Sequence, residues 1–251
     1  RKCAPGLRAL DRERLHFQVS VDGTERLHDR LRGKGAFRKT VDGLGSLVDT
    51  KISCSVAMAV NRENLQAMGE LVEFSRDRGV DNVHFLWHFV RGRGRRQERI
   101  SLERLTEAFR DTVGRARSLE THIDNLEAMR AQVFSPAGTR FDLGNAAWES
   151  LAIGPEGGVY PTPAMVDLER FRAGTVEGGL EAVWRDSPLL ERIRSLSLLD
   201  VPEMQADPWR LVLGGGDLDH CCVREDGGGD LGRLQADPYL PLYREMAGML
   251  I

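Results

Sequence analysis

Apolar and polar positions alternate over residues 15–23, LHFQVSVDG, and the alternation ends at an Asp-Gly pair. A two-residue period that stops at such a pair is typical of a strand that enters a turn. Strands and helices then alternate along the chain, which predicts a parallel α/β unit whose functional side chains gather where the strands end. The same patterning predicts helices over 35–49 and 64–80 and further strands over 51–60 and 82–90.

The hydrophobic pattern changes after about residue 134, beyond one or two polar helices predicted over 101–133. Residues 150–166 contain a Pro-Glu-Gly-Gly turn between two short apolar segments, which predicts a β-hairpin. Residues 179–198 predict a helix that is interrupted near Pro188. We therefore expect two modules, 1–133 and 134–251.

Composition narrows the class of protein. The 251 residues are 41% hydrophobic and 29% charged, with a formal net charge of -3, which fits a globular protein and does not favour a nucleic-acid-binding surface. No apolar run approaches the roughly 18 residues of a membrane span, so no membrane partner is expected. The four cysteines lack CxxC spacing, which argues against a disulfide framework or a four-cysteine zinc site and favours a reducing, cytoplasmic setting.

A compact group of chemically active residues lies within 211–223, LVLGGGDLDHCCV. Three consecutive glycines leave the backbone very free, so the ordering of this stretch needs a reason. Carboxylate, imidazole and thiol groups can bind a metal or move protons, whereas aspartates in such a loop also cap turns. A metal site, a catalytic site and a plain turn all remain open. The candidate residues are Asp217, Asp219, His220, Cys221 and Cys222.

Polar residues also follow the predicted strands, and parallel strands bring such residues to one rim. Structural roles compete with binding here: Ser20 fits a turn, Asn61 fits a helix cap, and His88 fits a half-buried ring. Arg32 can pair either with Asp29 or with the carboxylate of a ligand. The basic run 91–99, RGRGRRQER, is either a solvated loop or an anion holder. The rim candidates are Ser20, Asp22, Asn61, His88 and Arg91.

Several of these stretches together resemble radical S-adenosylmethionine enzymes that carry a C-terminal SPASM domain. Residues 17–44 resemble the fourth strand and following helix of that family, 152–164 resemble the SPASM hairpin, and 172–194 resemble the segment after it. The resemblance covers about residues 15–200 and implies the C-terminal half of a partial (β/α)6 TIM-like barrel followed by a small α+β SPASM-like module. The matching residues of the first stretch are Ser20, Asp22, Gly23, His28, Asp29, Arg32, Gly35 and Phe37, and Gly92 and Arg93 match after the sixth strand.

The resemblance also implies a function. A radical enzyme of this kind would use S-adenosylmethionine (AdoMet) and a [4Fe-4S] cluster, take electrons from a flavodoxin or ferredoxin, and form a thioether or carbon–carbon cross-link in a ribosomally made peptide. The implied AdoMet contacts are Ser20, Asp22, Arg32, Asn61 and His88. Asp217, Asp219 and His220 would then lie in the active-site wall, where they take a proton or orient the peptide, and Cys221 and Cys222 are the candidate metal ligands.

Two departures from the family pattern bear on this function. The cluster motif CxxxCxxC is absent, so the first strands of the barrel and that motif are expected upstream of Arg1. Thr162 stands where the SPASM hairpin usually has cysteine, and GGGDLDHCC replaces the usual CxGGC, which leaves at most Cys221 or Cys222 for an auxiliary cluster. The alternative to the enzyme is a catalytically degenerate peptide-binding module or a partner subunit of a split enzyme.

Overall fold

The computed structural model of the chain describes residues 11–80, 82–88, 96–134, 138–140, 143–223, 229, 231–232 and 234–251. The described residues form two compact units, the first ending at Ala128 and the second beginning at Met129, within the helix Asp124–Phe134. The predictions for Arg91, Gly92 and Arg93 fall outside the described residues.

The first unit is built on a four-stranded parallel sheet. Its strands lie side by side in chain order, with a helical segment after each, and this arrangement confirms the predicted α/β class. The strands are β1 (His16–Ser20), β2 (Ser53–Ala59), β3 (Asn82–Leu86) and β4 (His122–Ile123). Four helices precede the boundary helix: Glu25–Arg32, Ala36–Asp49, Met68–Asp77 and Leu102–Ser118.

One face of this sheet is apolar and packs against helices. Val56, Met58 and Val83 are fully buried on that face. Phe85 packs edge-on against Phe109 of the helix Leu102–Ser118, with ring centroids 6.2 Å apart. Burial of each such side chain stabilises the folded protein by roughly 1.5–3 kcal/mol. The helices therefore pack on this face of the sheet.

Local signals explain most helix positions in this unit. The predicted helix 35–49 is confirmed as Ala36–Asp49, whereas the helix Glu25–Arg32 was not predicted. Thr24 caps the helix Glu25–Arg32, because its side chain accepts a hydrogen bond from the backbone N–H of Leu27. Gly33 follows it at φ 105°, a conformation that favours glycine, and ends the helix.

The second unit contains a small antiparallel sheet and short helices. The predicted hairpin is confirmed by β5 (Ala152–Ile153) and β6 (Gly158–Tyr160), and β7 (Gly174–Thr175) adds a third strand that was not predicted. The expected interruption at Pro188 is also confirmed, because Pro188 begins a new helix. The helices of this unit are Leu180–Asp186, Pro188–Arg194, Pro202–Gln205, Arg210–Leu213, Leu218–Cys222 and Leu240–Gly248. None of the helices in the described ranges combines the length and apolar character needed to cross a membrane.

Candidate functional site

The predicted rim residues lie at the carboxyl end of the parallel sheet in the first unit. Ser20 is the last residue of β1, Asn61 lies two residues beyond β2, and His88 lies two residues beyond β3. Because the strands are parallel, all three lie at the same edge of the sheet. Ser20 is half-buried, and its hydroxyl has no hydrogen-bond partner among the described residues. The hydroxyl is therefore available to a ligand at this edge.

Asp22 is committed to contacts within the first unit. It is 4% exposed, and one carboxylate oxygen pairs with Nε of Arg32 while the other accepts a hydrogen bond from the backbone of Ala59 at 3.3 Å. Its own backbone N–H donates to Nδ1 of His28 at 3.1 Å. Burial lowers the pKa of His28, which favours the neutral ring that such an acceptor requires. Asp22 therefore joins β1, β2 and the helix Glu25–Arg32.

Arg32 does not pair with Asp29, which was one of the two alternatives for it, but with Asp22. Asp29 instead accepts backbone hydrogen bonds from Phe37 at 2.8 Å and Gly35 at 2.6 Å, which lower the pKa of its carboxyl group. It thereby holds the start of the next helix. The outer guanidinium nitrogens of Arg32 have no partner among the described residues and remain available to a ligand carboxylate.

Asn61 caps the segment that follows β2, which was the structural alternative. Its side-chain oxygen accepts hydrogen bonds from the backbones of Glu63 at 2.8 Å and Asn64 at 3.3 Å. Its backbone N–H donates to the side-chain oxygen of Asn64 at 2.7 Å. The side-chain NH₂ of Asn61 has no partner in the described part of the chain, so a cap and a ligand contact are compatible.

A second polar surface, the polar sheet face, lies on the side of the sheet opposite the apolar face. The register places Ser20, Ala57 and His84 in one layer of this face, and Gln18, Ser55 and Asn82 in the layer below. Only Ser20 was predicted as a site residue. The alternation of polar and apolar residues in 82–88 indicates that Asn82 and His84 lie on one face of their strand. A single strand does not show which residues of the neighbouring strands join that face. The polar side chains of this face are His16, Gln18, Ser20, Ser53, Ser55, Asn82, His84, His122 and Asp124.

A histidine–aspartate pair lies on the polar sheet face. Nδ1 of His84 is 3.0 Å from Oδ2 of Asp124, and this hydrogen bond is the main cause that lowers the pKa of Asp124. The charge of His16 acts in the same direction. Asn125 holds Asp124 beside β3, because its side-chain amide bonds to both the N–H and the C=O of Phe85 at 2.8 Å. An imidazole oriented by a carboxylate in this way can accept a proton at its free nitrogen.

The glycine-rich stretch of the second unit has a structural reason for its composition. Gly214, Gly215 and Gly216 all have positive φ, which disfavours any residue with a Cβ. An ideal Cβ at Gly216 would lie 2.3 Å from the Cβ of Asp237, so this position must also be glycine for packing. Asp217 then caps the helix Leu218–Cys222 by accepting a hydrogen bond from the backbone of Asp219 at 2.9 Å.

Asp237 is the centre of a polar cluster that the sequence did not predict. Its fully buried carboxylate lies 3.1 Å from Nδ1 of His220 and accepts backbone hydrogen bonds from Asp217 at 2.8 Å and Tyr239 at 2.7 Å. Burial lowers the pKa of His220, but the carboxylates of Asp237, Asp217 and Asp219 outweigh it and raise that pKa to about 9. His220 is therefore an imidazolium near pH 7. Asp219 accepts a hydrogen bond from Thr162 of the hairpin.

The two adjacent cysteines are buried in the helix Leu218–Cys222. Cys221 is 1% exposed, with its sulfur 3.8 Å from the carbonyl oxygen of Gly215, and Cys222 is 0% exposed. They are the only cysteines in the sequence of this unit, whereas an iron–sulfur cluster is usually held by four thiolates. Across the described ranges, no three His, Cys, Asp or Glu side chains are arranged to hold a metal ion. The residues of this unit therefore do not fit an auxiliary cluster, and ligation by Cys221 and Cys222 stays a prediction.

Comparison with known proteins found one relevant sequence similarity. No protein-family model matches the chain. The chain is 31% identical over 97 residues to the sporulation killing factor maturation protein SkfB of Bacillus subtilis. This alignment spans 38% of the chain and only 21% of SkfB, about a fifth of that protein's length.

Solved structures share the fold over between 72% and 98% of the chain. A structure of native anSMEcpe with bound AdoMet superposes with a TM-score of 0.72 at 13% identity, covering 97% of this chain and 68% of that one. The same protein with AdoMet and the Cp18Cys peptide gives a TM-score of 0.73 at 12% identity, covering 98% and 69%. Streptococcus suis SuiB bound to its precursor peptide SuiA gives 0.51 at 16% identity, covering 72% and 44%. The expected fold is thereby confirmed.

Proposed function

We propose that this chain is part of an enzyme that modifies a peptide. Its resemblance to radical S-adenosylmethionine enzymes with a SPASM domain is supported by its fold and by its similarity to SkfB. The observation that carries the proposal is the position of Ser20, Arg32 and Asn61. Each offers a polar group without a described partner near the edge where the parallel strands end. The AdoMet and peptide complexes of proteins with this fold support the same conclusion.

The residues at this edge fit the polar groups of AdoMet. The Ser20 hydroxyl suits the ribose hydroxyls, and the outer guanidinium nitrogens of Arg32 suit the methionine carboxylate. The NH₂ group of Asn61 supplies a further donor, and His88 lies at the same edge. Asp22 acts through Arg32, since its carboxylate pairs with the Arg32 guanidinium and orients it. When bound at a reduced iron–sulfur cluster, AdoMet supplies a radical that removes a hydrogen atom from the substrate.

The product is a thioether or carbon–carbon cross-link in a ribosomally made peptide, and the electrons come from a flavodoxin or ferredoxin. The loop 214–222 forms part of the active-site wall. Within that loop the contacts of Asp217, Asp219 and His220 all help to fix its shape, and Asp219 is the residue that we propose to orient the peptide.

Co-expression tests this function. The full-length product of the natural gene is produced with each short peptide encoded beside it, and the peptides are analysed by mass spectrometry. We expect one peptide to lose two hydrogen atoms, and Asp219→Asn to abolish this loss. Asp200→Asn, an exposed aspartate of the same unit, is the matched control and retains it. Peptide binding without any mass change would favour the degenerate binding module instead.

A further inference from the structure

We infer that the His84–Asp124 pair is the site on the polar sheet face that receives the substrate peptide and accepts a proton from it; this inference rests on the proposed function. The transfer involves no change of oxidation state. A polar X–H bond of the peptide breaks, an N–H bond forms at Nε2 of His84, and the resulting imidazolium is balanced by the Asp124 carboxylate.

The hydrogen bond between the two residues sets the tautomer that such a role requires. Nδ1 of His84 lies 3.0 Å from Oδ2 of Asp124, so Nδ1 carries the hydrogen and donates it. The lone pair then lies on Nε2, which is not engaged by Asp124. Asp124 is the first residue of the helix Asp124–Phe134, where the helix dipole favours an ionised carboxylate. The pair is therefore a preorganised proton acceptor.

The position of the pair relative to the candidate AdoMet edge supports the same role. Ser20 and His84 lie in one layer of the sheet, separated by Ala57 on the intervening strand. Two strand spacings put their Cα atoms about 10 Å apart. Ala57 places no long side chain between them. A peptide segment that reaches the partly exposed side chains of Ser20 and His84 would thus contact both the proposed cofactor edge and the proton acceptor.

Asn82 gives an independent indication that a ligand binds this face. Its side-chain oxygen is buried and has no hydrogen-bond partner among the described residues. Leaving such an acceptor unpaired costs about 1–3 kcal/mol, so a donor from a ligand would be favoured there. Asn82 lies two residues before His84 on the same face, about 7 Å away along the strand. Peptide N–H groups repeat at this spacing along an extended chain.

The exposure of the pair argues against a purely structural role. The side chain of His84 is 25% exposed and that of Asp124 is 46% exposed. Partly exposed ion pairs stabilise proteins by only about 0–1 kcal/mol. The charged and titratable groups that share this face with the pair are His16 on β1 and His122 on β4. Removing the pair should therefore change substrate handling more than folding.

The test uses full-length protein and the peptide that the wild type modifies. In His84→Gln and Asp124→Asn, we expect the rate of peptide modification to fall by about tenfold or more, as for the loss of a charge-assisted hydrogen bond. More 5′-deoxyadenosine should be released per modified peptide, while the melting temperature stays unchanged. Asp124→Glu should restore part of the modification. Asp111→Asn, an exposed aspartate on the helix Leu102–Ser118, is the matched control and should match the wild type.

The remaining outcomes separate this inference from the function on which it rests. Wild-type modification rates in both pair variants would overturn the inference and leave the proposed function intact. A parallel fall of modification and melting temperature would also overturn it, because the pair would then be structural. A wild type that modifies none of the encoded peptides would overturn the proposed function, and the inference with it.

Discussion

Ser20 and His84 lie in the same layer of the parallel sheet, on the same face and on either side of Ala57. Ser20 ends β1 at the edge where a cofactor is proposed to bind, and His84 is oriented by Asp124. The group proposed to contact AdoMet and the group proposed to accept a proton are thus about two strand spacings apart, or about 10 Å. This distance matches the length of a short peptide segment.

Ser20→Ala tests the cofactor contact separately from folding. The hydroxyl has no partner among the described residues, so its removal should leave the melting temperature unchanged. It should weaken AdoMet binding by roughly threefold to tenfold, the value of one neutral hydrogen bond. Equilibrium dialysis of AdoMet with the full-length protein measures this change. The control is Ser118→Ala, on an exposed helix end, and equal AdoMet affinity in both variants would argue against the Ser20 contact.

The buried His220–Asp237 pair predicts a specific dependence of stability on pH. The pKa of His220 rises from about 6.5 in the unfolded chain to about 9 in the folded protein. This rise stabilises the folded protein, with His220 protonated, by about 3 kcal/mol. This stabilisation is complete below about pH 6.5 and is lost as the pH rises through about 9. Tyr243 does not contribute in this range, because burial raises its pKa well above the usual value.

Urea denaturation of the wild type and Asp237→Asn between pH 6 and pH 9.5 measures this effect. We expect the wild type to lose stability across the range. Asp237→Asn should be less stable at pH 6 by about 3–5 kcal/mol, the cost of breaking a buried pair, and should show a flatter pH dependence. Asp111→Asn should follow the wild type. An equally steep loss of stability in Asp237→Asn would show that another group titrates.

Gly216→Ala should destabilise the second unit. Its φ of 97° and the predicted approach of a Cβ to 2.3 Å from the Cβ of Asp237 combine strain with overpacking. We expect a loss of at least about 2 kcal/mol in the free energy of unfolding. Gly114→Ala is the contrast, because this helical glycine has open space around it and should gain about 0.5–1 kcal/mol. Equal stabilities of the two variants would contradict the packing at Gly216.

Cys221→Ser and Cys222→Ser test whether the second unit binds iron. The two thiols are adjacent and buried, and the unit contains no further cysteine. We therefore expect both variants, reconstituted anaerobically as full-length protein, to contain as much iron per chain as the wild type. Iron loss in either variant would instead identify that cysteine as a ligand, as the sequence predicted.

The sequence predicted those features of the fold that local patterns determine. The strands β1, β2 and β3, the helix Ala36–Asp49 and the hairpin around Gly157 each follow from periodicity or turn chemistry within a few residues, whereas β4 lies in a stretch for which only helices were predicted. The helix Leu218–Cys222 was predicted as a loop, because three glycines precede it and it spans little more than one turn. Its stability depends on tertiary contacts, which local propensity does not encode.

The candidate site was predictable only in part for a related reason. Ser20, Asn61 and His88 could be placed at one edge, because the order of parallel strands determines where their ends lie. The partners of His84 and His220 could not be predicted, since Asp124 and Asp237 are 40 and 17 residues away in the sequence. Such pairs depend on strand register and on how a loop folds back, neither of which has a local signal.

The most direct test of the central claim is the cleavage of AdoMet. Full-length protein from the natural gene is reconstituted with iron and sulfide under anaerobic conditions, reduced with dithionite, and incubated with AdoMet. Liquid chromatography with mass spectrometry then quantifies 5′-deoxyadenosine. We expect its formation by the wild type, and less of it in Ser20→Ala at AdoMet concentrations below saturation. An iron-loaded wild-type protein that forms no 5′-deoxyadenosine would contradict the assignment of this chain to a radical enzyme.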